Sequence, residues 1–344
     1  MQLKQQTNER DFYFKSRQKF CIYVIFGVIA LVALFLYTIT NGNYETSFVE
    51  VVNALLYPDD NKQVYTIVLY SRIPRFLAAI TVGAALSAAG WIYQEVFSNR
   101  MVSPDVLGVS SGAGVGAALG FVLNYNIVVV GVMAFTSGIL SVAIALLITI
   151  LFGRGSNKTL ALILSGIVVN GFMSSLLGLL KYISSDTQLT TITYWLLGGF
   201  YNISYKDLLI AVPVIIVCII LLYCMRWKIM MLKNGEIDAK MHGINYVGMR
   251  NIAIIGATII TAISVSISGT IGWIGLAIPN FIRIIVNDDE KYVLPLVILY
   301  GMIFTGISDF LARSITDTEI PIGIITGLIG AVIFIVVLTI RRKK

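Results

Sequence analysis

The chain has 344 residues, 57% of them hydrophobic and 12% charged, with a mean hydropathy of +0.86. A soluble domain carries about 25% charged residues, so this chain cannot cover itself in water and reads as a polytopic membrane protein. Its net charge of +7 does not mark a nucleic-acid binder. The basic residues gather in alternate loops, the pattern that orients a membrane chain with its positive loops in the cytoplasm.

In chain order, residues 1–19 carry Lys4, Arg10, Lys15, Arg17 and Lys19 and form a cytoplasmic N-terminal tail. Apolar runs follow at roughly 20–40, 66–97, 106–123, 127–152, 160–182, 206–225, 250–269, 273–286, 293–313 and 322–340. About 20 residues at about 1.5 Å each cross the hydrocarbon core. The expectation is therefore an all-α polytopic membrane protein of about ten transmembrane helices. They form a single domain, 20–340, closed by a basic tail, 341–344, with both termini cytoplasmic. The first run is long enough to span, so it is the first transmembrane helix and not a cleaved leader. The run 66–97 exceeds what a crossing needs and must tilt or project. The run 273–286 is too short and should enter the bilayer only where protein surrounds it.

Arg100, the Arg154/Lys158 loop, the segment 226–250, the turn 287–291 and the terminal "RRKK" fall inside. Loop 41–65, with Glu45, Glu50, Asp59 and Asp60 against Lys62, falls outside. So do 183–190, with Asp186, and 314–320, with Asp317 and Glu319. "TTITYWLLGGF", 190–200, reads as a short helix at the outer face with Tyr194 and Trp195 at the interface.

Groups that could do covalent chemistry are scarce. His242 is the single histidine, and no HExxH, CxxC or paired intramembrane carboxylates are found. "GRGSNKT", 153–159, has the wrong spacing for a phosphate cradle, and Cys21, Cys218 and Cys224 suggest neither a disulfide framework nor a metal site. No catalytic residue, metal or cofactor is expected. Asp309 is taken as the one carboxylate within an apolar run. Spaced i,i+4 from Arg313, it reads as a local ion pair near the outer interface, the alternative being a proton relay.

Arg72 and Arg75 stand three apart at the outer start of the second helix, with Pro74 suited to its first turn. With Arg313 they are outer arginines that a positive-inside topology should avoid. They either snorkel to headgroups or form a docking surface for an acidic partner. On the inner side, "EIDAKMHGI" within 227–251 predicts a helix of about two turns ended by Gly243. A connector needs about 2–8 residues, so this longer segment suggests something gripped from the cytoplasm, a solvated loop helix being the alternative. In "SNRMVSPDVLGVSSGAGVGAALG", 98–120, Asp105 is expected to cap a helix starting after Pro104. Gly108, Gly112 and Gly116 then fall on one face for close helix packing.

"SRIPRFLAAITVGAALSAAGWIYQEVFSNRMVSPDVLGVSSGAGVGAALG" resembles the signature of FecCD-type permeases, the membrane subunits of type II ABC importers for iron complexes and cobalamin. "LSGIVVNGFMSSLLGLLKY", "YWLLGGF", "SGTIGWIGLAIPNFIR" and "GISDFLARSITDTEIPIGIITGLIGAVIF" follow in the family's order, so the resemblance covers about residues 20–340. It implies a plasma-membrane permease of ten helices, paired as a homo- or heterodimer around a central path. Two cytoplasmic ABC ATPases, carrying the ATP and Mg, would bind below, and an extracellular substrate-binding lipoprotein would deliver the ligand. The chain itself would hold no nucleotide site or cofactor.

The resemblance also assigns residues. Arg72, Arg75 and Arg313 match positions that meet glutamates on the binding protein's two lobes. Asn99 and Met101 lie near the cytoplasmic gate, and Glu236, Ala239, His242 and Gly243 belong to the coupling helix that enters the ATPase. Two positions depart from the family: the gate loop R-N-P-L-A-x-P is here Ser98-Asn99-Arg100-Met101-Val102-Ser103-Pro104, and the coupling "SLG" is "MHG". The expected activity is inward transport of a ferric siderophore, with haem or cobalamin as alternatives. The rivals are a stand-alone ion-coupled carrier and a non-transporting sensor or scaffold.

Overall fold

The computed structural model describes residues 2–42, 44, 46–152, 158–201, 203–286, 289–316 and 318–342, with side chains from Ser16 onward and excepting Lys158. The side chains of Lys4, Arg10, Lys15 and Lys158, and residues Glu45, Arg154, Asp317, Lys343 and Lys344, lie outside the described residues, as does most of the "GRGSNKT" stretch.

Helix α1 spans Gln2–Thr40, α2 Phe48–Leu56 and α3 Lys62–Ile67. A single π-helical turn, Val68–Arg72, leads into α4, Ile73–Val96. After a short 3-10 turn, Pro104–Leu107, come α5 (Val109–Val122), α6 (Ile127–Phe152), α7 (Lys158–Ile183) and α8 (Asp186–Leu197). Then follow α9 (Tyr205–Cys224), α10 (Arg226–Leu232), α11 (Glu236–Met241) and α12 (Tyr246–Ser268). The chain closes with α13 (Ile274–Ile285), α14 (Glu290–Ser314) and α15 (Ile322–Arg342). Eight spans are long and apolar enough to cross a membrane, and α5 and α13 are shorter apolar helices. Together they are the ten apolar segments expected, with no strand among the described residues. The protein is a multi-pass membrane protein.

The long run at 66–97 is accommodated by interruption: α3 and the π turn carry its outer part, and α4 begins afresh with Pro74 in its first turn. Most of α4 is buried, because its Ala- and Gly-rich surface lets α12, α13 and α14 close around it. A Cβ at Gly90 would overlap the backbone of Gly275 in α13. In lipid, where apolar contact alone gives little drive to associate, such close backbone approach is the main source of packing energy. As expected, the short α13 is walled in by protein, with Ala277, Pro279, Asn280 and Ile282 buried. Peripheral α1 leaves Ile22, Phe26 and Ile29 exposed to the bilayer.

Two expectations need correction. The helix after Pro104 starts three residues later than the apolar run suggests, because Gly108 adopts φ +78° and breaks the chain direction. Gly108 thus serves the turn, whereas Gly112 and Gly116 form the packed face against Ser137, Ser141 and Met133 of α6. Asp105 does not cap α5; it accepts hydrogen bonds from Ser103 Oγ at 3.3 Å and from Ser110 Oγ. The second correction concerns α8. Tyr194 is exposed as expected at an interface, but Trp195 turns inward onto Ala113, Ala117, Val130 and Val265.

Candidate functional site

The charged side chains collect at the two ends of the bundle. At the outer end, α4 emerges from the π turn with Arg72 and Arg75 aimed into the protein. Arg72 is 4% exposed and donates to the Ile39 carbonyl, to Thr46 Oγ1 at 2.8 Å and to the Tyr44 carbonyl. Arg75 donates through Nε to Asp309 Oδ1 at 2.9 Å and through Nη1 to both Glu319 oxygens at 2.8 and 2.9 Å. Arg313, also buried, lies 3.8 Å from Asp309 Oδ2, with its guanidinium over the Phe310 ring.

The i,i+4 pair Asp309–Arg313 therefore exists, but Arg75 is the closer partner. Snorkelling is excluded for all three arginines, since none reaches outward past the protein. Glu319, about a third exposed, caps the cluster, so an acidic visitor meets Arg75 by displacing Glu319. Tyr201 lines the same recess, and partial burial, with Glu319 and Tyr194 nearby, pushes its phenol up.

At the inner end the loop 98–103 is fastened rather than loose. Ser98, at φ +49°, donates from Oγ to the Lys233 carbonyl at 3.0 Å. Asn99 Oδ1 accepts from the Met101 amide at 2.9 Å, and Asn280 Nδ2 donates to the Arg100 carbonyl at 2.7 Å. Of the two expected gate residues, Met101 is 60% exposed and Asn99 braces its own loop.

Behind the loop lies a charge cluster that sequence reasoning missed. Arg283 of α13 is fully buried, with Nη2 2.6 Å from Glu95 Oε1, Nη1 on Gln94 Oε1 and Nε 3.3 Å from Glu290 Oε1. The signal was present: Glu95 falls inside the run 66–97 and Arg283 inside 273–286, opposite charges in two apolar runs.

The segment 226–250 folds as α10 and α11, and α11 alone lies between two glycines of positive φ, Gly235 at +97° and Gly243 at +72°. Gly243 ends α11 as expected. Among the residues assigned to coupling, Glu236 pairs with Lys240 at 2.8 Å and His242 Nδ1 sits 2.8 Å from the Asp238 carbonyl. Ala239 needs correcting, because it is fully buried against this chain and cannot meet a partner. The outward face consists instead of Ile237 and Met241, 73% and 77% exposed.

Two further surfaces stand out. A lateral cavity of about 650 Å³ between α6, α8, α9 and α12 is mostly apolar, its one charged lining residue being Asp207, which caps α9 through Ser204. On α7, Gly171, Ser174, Ser175 and Gly178 form an exposed small-residue face, and nothing of this chain lies within 4 Å of a Cβ placed at either glycine.

Residues 30–340 match the FecCD transport family. A Helicobacter pylori protein named as an iron chelatin transport system permease is 36% identical over 286 residues, 83% of this chain and 86% of the relative. The molybdate import system permease of Haemophilus influenzae is 34% identical over 78% of this chain and 79% of its own. An inward-facing structure of a metal-chelate type ABC transporter superposes with a TM-score of 0.82 at 30% identity, covering 92% of this chain and 98% of the other.

Proposed function

The chain belongs to the FecCD transport family, and on that premise we propose that this ABC importer permease carries a ferric siderophore inward. It works as a dimer with a second permease chain, two cytoplasmic ATPases and an extracellular binding protein. The observation that carries the ATP-driven reading is the outer face of α11. Ile237 and Met241 project from a segment on the side that the basic loops assign to the cytoplasm, where no lipid is present to cover them. Exposed apolar side chains between polar neighbours mark a protein contact, and the glycines at 235 and 243 hold them out as one knob. This chain contributes no cofactor; ATP and Mg belong to the partner.

For the cargo, the face of α7 favours a large shielded complex. No charged side chain occurs from Thr159 to Leu180. A chelated metal hides its charge inside an organic shell and needs only a smooth wall, whereas a bare oxyanion such as molybdate is normally met by Arg, Lys or backbone N–H groups. Cobalamin and haem share the bulk and form the second reading. At the outer end, Arg75 is the docking arginine of the three, since its partner Glu319 is a third exposed while Arg72 and Arg313 are buried.

The reading is tested by purifying the tagged protein from its own membrane and by uptake in cells with this permease as sole importer. Wild type should retain an ATPase, and Ile237→Glu/Met241→Glu should lose it without losing folded protein. Radio-iron presented as hydroxamate or catecholate complexes should enter, and labelled molybdate should not. Absence of any ATPase with wild type would overturn the importer reading in favour of a stand-alone carrier. Entry of molybdate alone would overturn the cargo.

A further inference from the structure

One carboxylate oxygen at the inner end faces three cations from three different parts of the chain. Glu290 Oε1, at the first turn of α14, accepts from Lys233 Nζ at 3.0 Å, lies 3.3 Å from Arg283 Nε and stands 3.9 Å from Arg100 Nη2. Glu290 Oε2 is buried and has no hydrogen-bond partner. Each cation belongs to a different working part. Lys233 caps α10, three residues before α11 begins; Arg100 is in the gate loop; Arg283 anchors the buried pair with Glu95.

From this arrangement we infer that Glu290 is the positioning residue through which displacement of the α10–α11 segment reaches the gate loop, by exchanging Lys233 for Arg100. The inference rests on the ATP-driven reading above.

The exchange follows from distance. Of the three cations only Lys233 hydrogen-bonds Glu290 Oε1, and Arg100 Nη2 stands about 1 Å farther out, within the same ion-pair cluster. Charge-assisted bonds of this kind strengthen steeply as they approach about 2.8 Å. If a partner draws α11 and Lys233 away, the Oε1 charge is left to Arg283 and Arg100, and Arg100 closes in. The movement is transmitted because Arg100 does not move alone. Its carbonyl is held by Asn280, and the Lys233 carbonyl simultaneously holds Ser98. One withdrawal therefore releases the loop at Ser98 and pulls it at Arg100. That is a two-state element biased from one site and read out at another, which is what a coupling claim requires.

Arg283 is the fixed reference in this scheme. Fully buried and neutralised by Glu95, it keeps the Glu290 carboxylate in place whichever of the other two cations occupies it. For the same reason Glu290→Gln leaves the deeper Arg283–Glu95 pair intact and should fold.

The test reads the gate directly. In a background with Cys21, Cys218 and Cys224 replaced by Ser, Met101→Cys is labelled with a maleimide in the ATPase complex in nanodiscs, with and without ATP plus vanadate. The parent should show an ATP-dependent change in labelling rate of about fivefold or more, within the usual range of coupling between sites. Glu290→Gln should abolish that change while ATP hydrolysis continues, and Glu290→Asp should restore part of it. Lys233→Met, at a half-exposed position, gives the same loss from the other arm and guards against a folding artefact.

Full ATP-dependent labelling in both Glu290→Gln and Lys233→Met overturns the inference and leaves the importer reading standing. A parent complex that contains the ATPase but shows no change at Met101 overturns the inference too. Failure to recover any ATPase overturns the importer reading itself.

Discussion

The sharpest energetic prediction concerns Arg283 and Glu95. Arg283 is fully buried and Glu95 is 1% exposed, with 2.6 Å between Nη2 and Oε1. Arg283→Met removes the cation and leaves Glu95 buried with neither oxygen bonded, since Oε2 already lacks a partner. Breaking a buried pair by removing one member costs about 3–5 kcal/mol. Glu95→Met is milder, because the guanidinium keeps Gln94 Oε1 and Glu290 Oε1; a cost of about 1–3 kcal/mol fits the loss of one charged hydrogen bond. The double variant puts two unbranched apolar chains where the pair was. It should recover most of the loss, falling short of wild type by the Gln94 and Glu290 contacts that go with Arg283, since apolar replacement of a buried pair is itself often neutral or better. The assay is thermal melting of the solubilised protein followed by fluorescent size-exclusion. At about 2–4 °C per kcal/mol, Arg283→Met should melt about 6–20 °C lower, toward the small end for a chain of this length. A double variant no more stable than Arg283→Met would refute the argument, because the deficit would then be lost packing rather than an orphaned charge.

Two further variants probe packing and the outer cluster. Gly116→Ala places a Cβ against the Met133 carbonyl and should cost about 1–3 kcal/mol by overpacking, read in the same melting assay, whereas Gly171→Ala, with open space around it, should melt unchanged; equal behaviour would remove close backbone approach as the basis of the α5–α6 contact. Glu319→Gln frees Arg75 Nη1 from its outer partner and should raise affinity for the binding protein several-fold in a surface-binding measurement, while a drop would make Glu319 part of the dock rather than its guard.

The ten apolar segments were readable because lipid imposes a length and a composition on each crossing, and α13 could be recognised as too short for the same reason. The short helix at Glu236–Met241 was readable from Gly243. Side-chain direction was not. "EIDAKM" contains no pattern telling which residues of a two-turn helix face inward, so Ala239 was placed on an outer face where the structure puts Ile237 and Met241. The outer arginines show the same limit. Spacing placed Arg72 and Arg75 on one face, but only the fold reveals that this face meets Ile39, Thr46 and Asp309. Gly108 was misread because a glycine in a small-residue series looks alike whether it packs or turns; the φ of +78° separates the two. Glu95 was a different kind of miss. It stood inside an apolar run with the expected cost of a membrane charge, and Arg283 stood in another, so the pair could have been found by asking which charge neutralises which.

The two charge clusters also belong to the same pair of helices. Arg75 and Glu95 are 20 residues apart on α4, about 30 Å of helix, close to the thickness of the hydrocarbon core. Glu290 and Asp309 are 19 apart on α14, running the opposite way. Arg75 binds Asp309 at one end, Arg283 ties Glu95 to Glu290 at the other, and in between a Cβ at Gly301 would lie only 2.6 Å from the Gly83 carbonyl. Two helices pinned by charge at both membrane faces and in near-contact through their backbones cannot shear past each other without breaking all three connections at once. They therefore act as one slab. On the reading proposed above, the motion that opens and closes a path falls on parts outside this slab: the 98–103 loop, the α10–α11 segment and the open face of α7. The loop is tied by the bonds at Ser98 and Arg100, Lys233 meets one shared carboxylate oxygen while Ile229, Leu232 and Ala239 seat its segment in the apolar core, and α7 packs on one side only, leaving Gly171 and Gly178 open. On the importer reading proposed above, a rigid post of this kind would let a push on α11 act on the 98–103 loop and not deform the bundle.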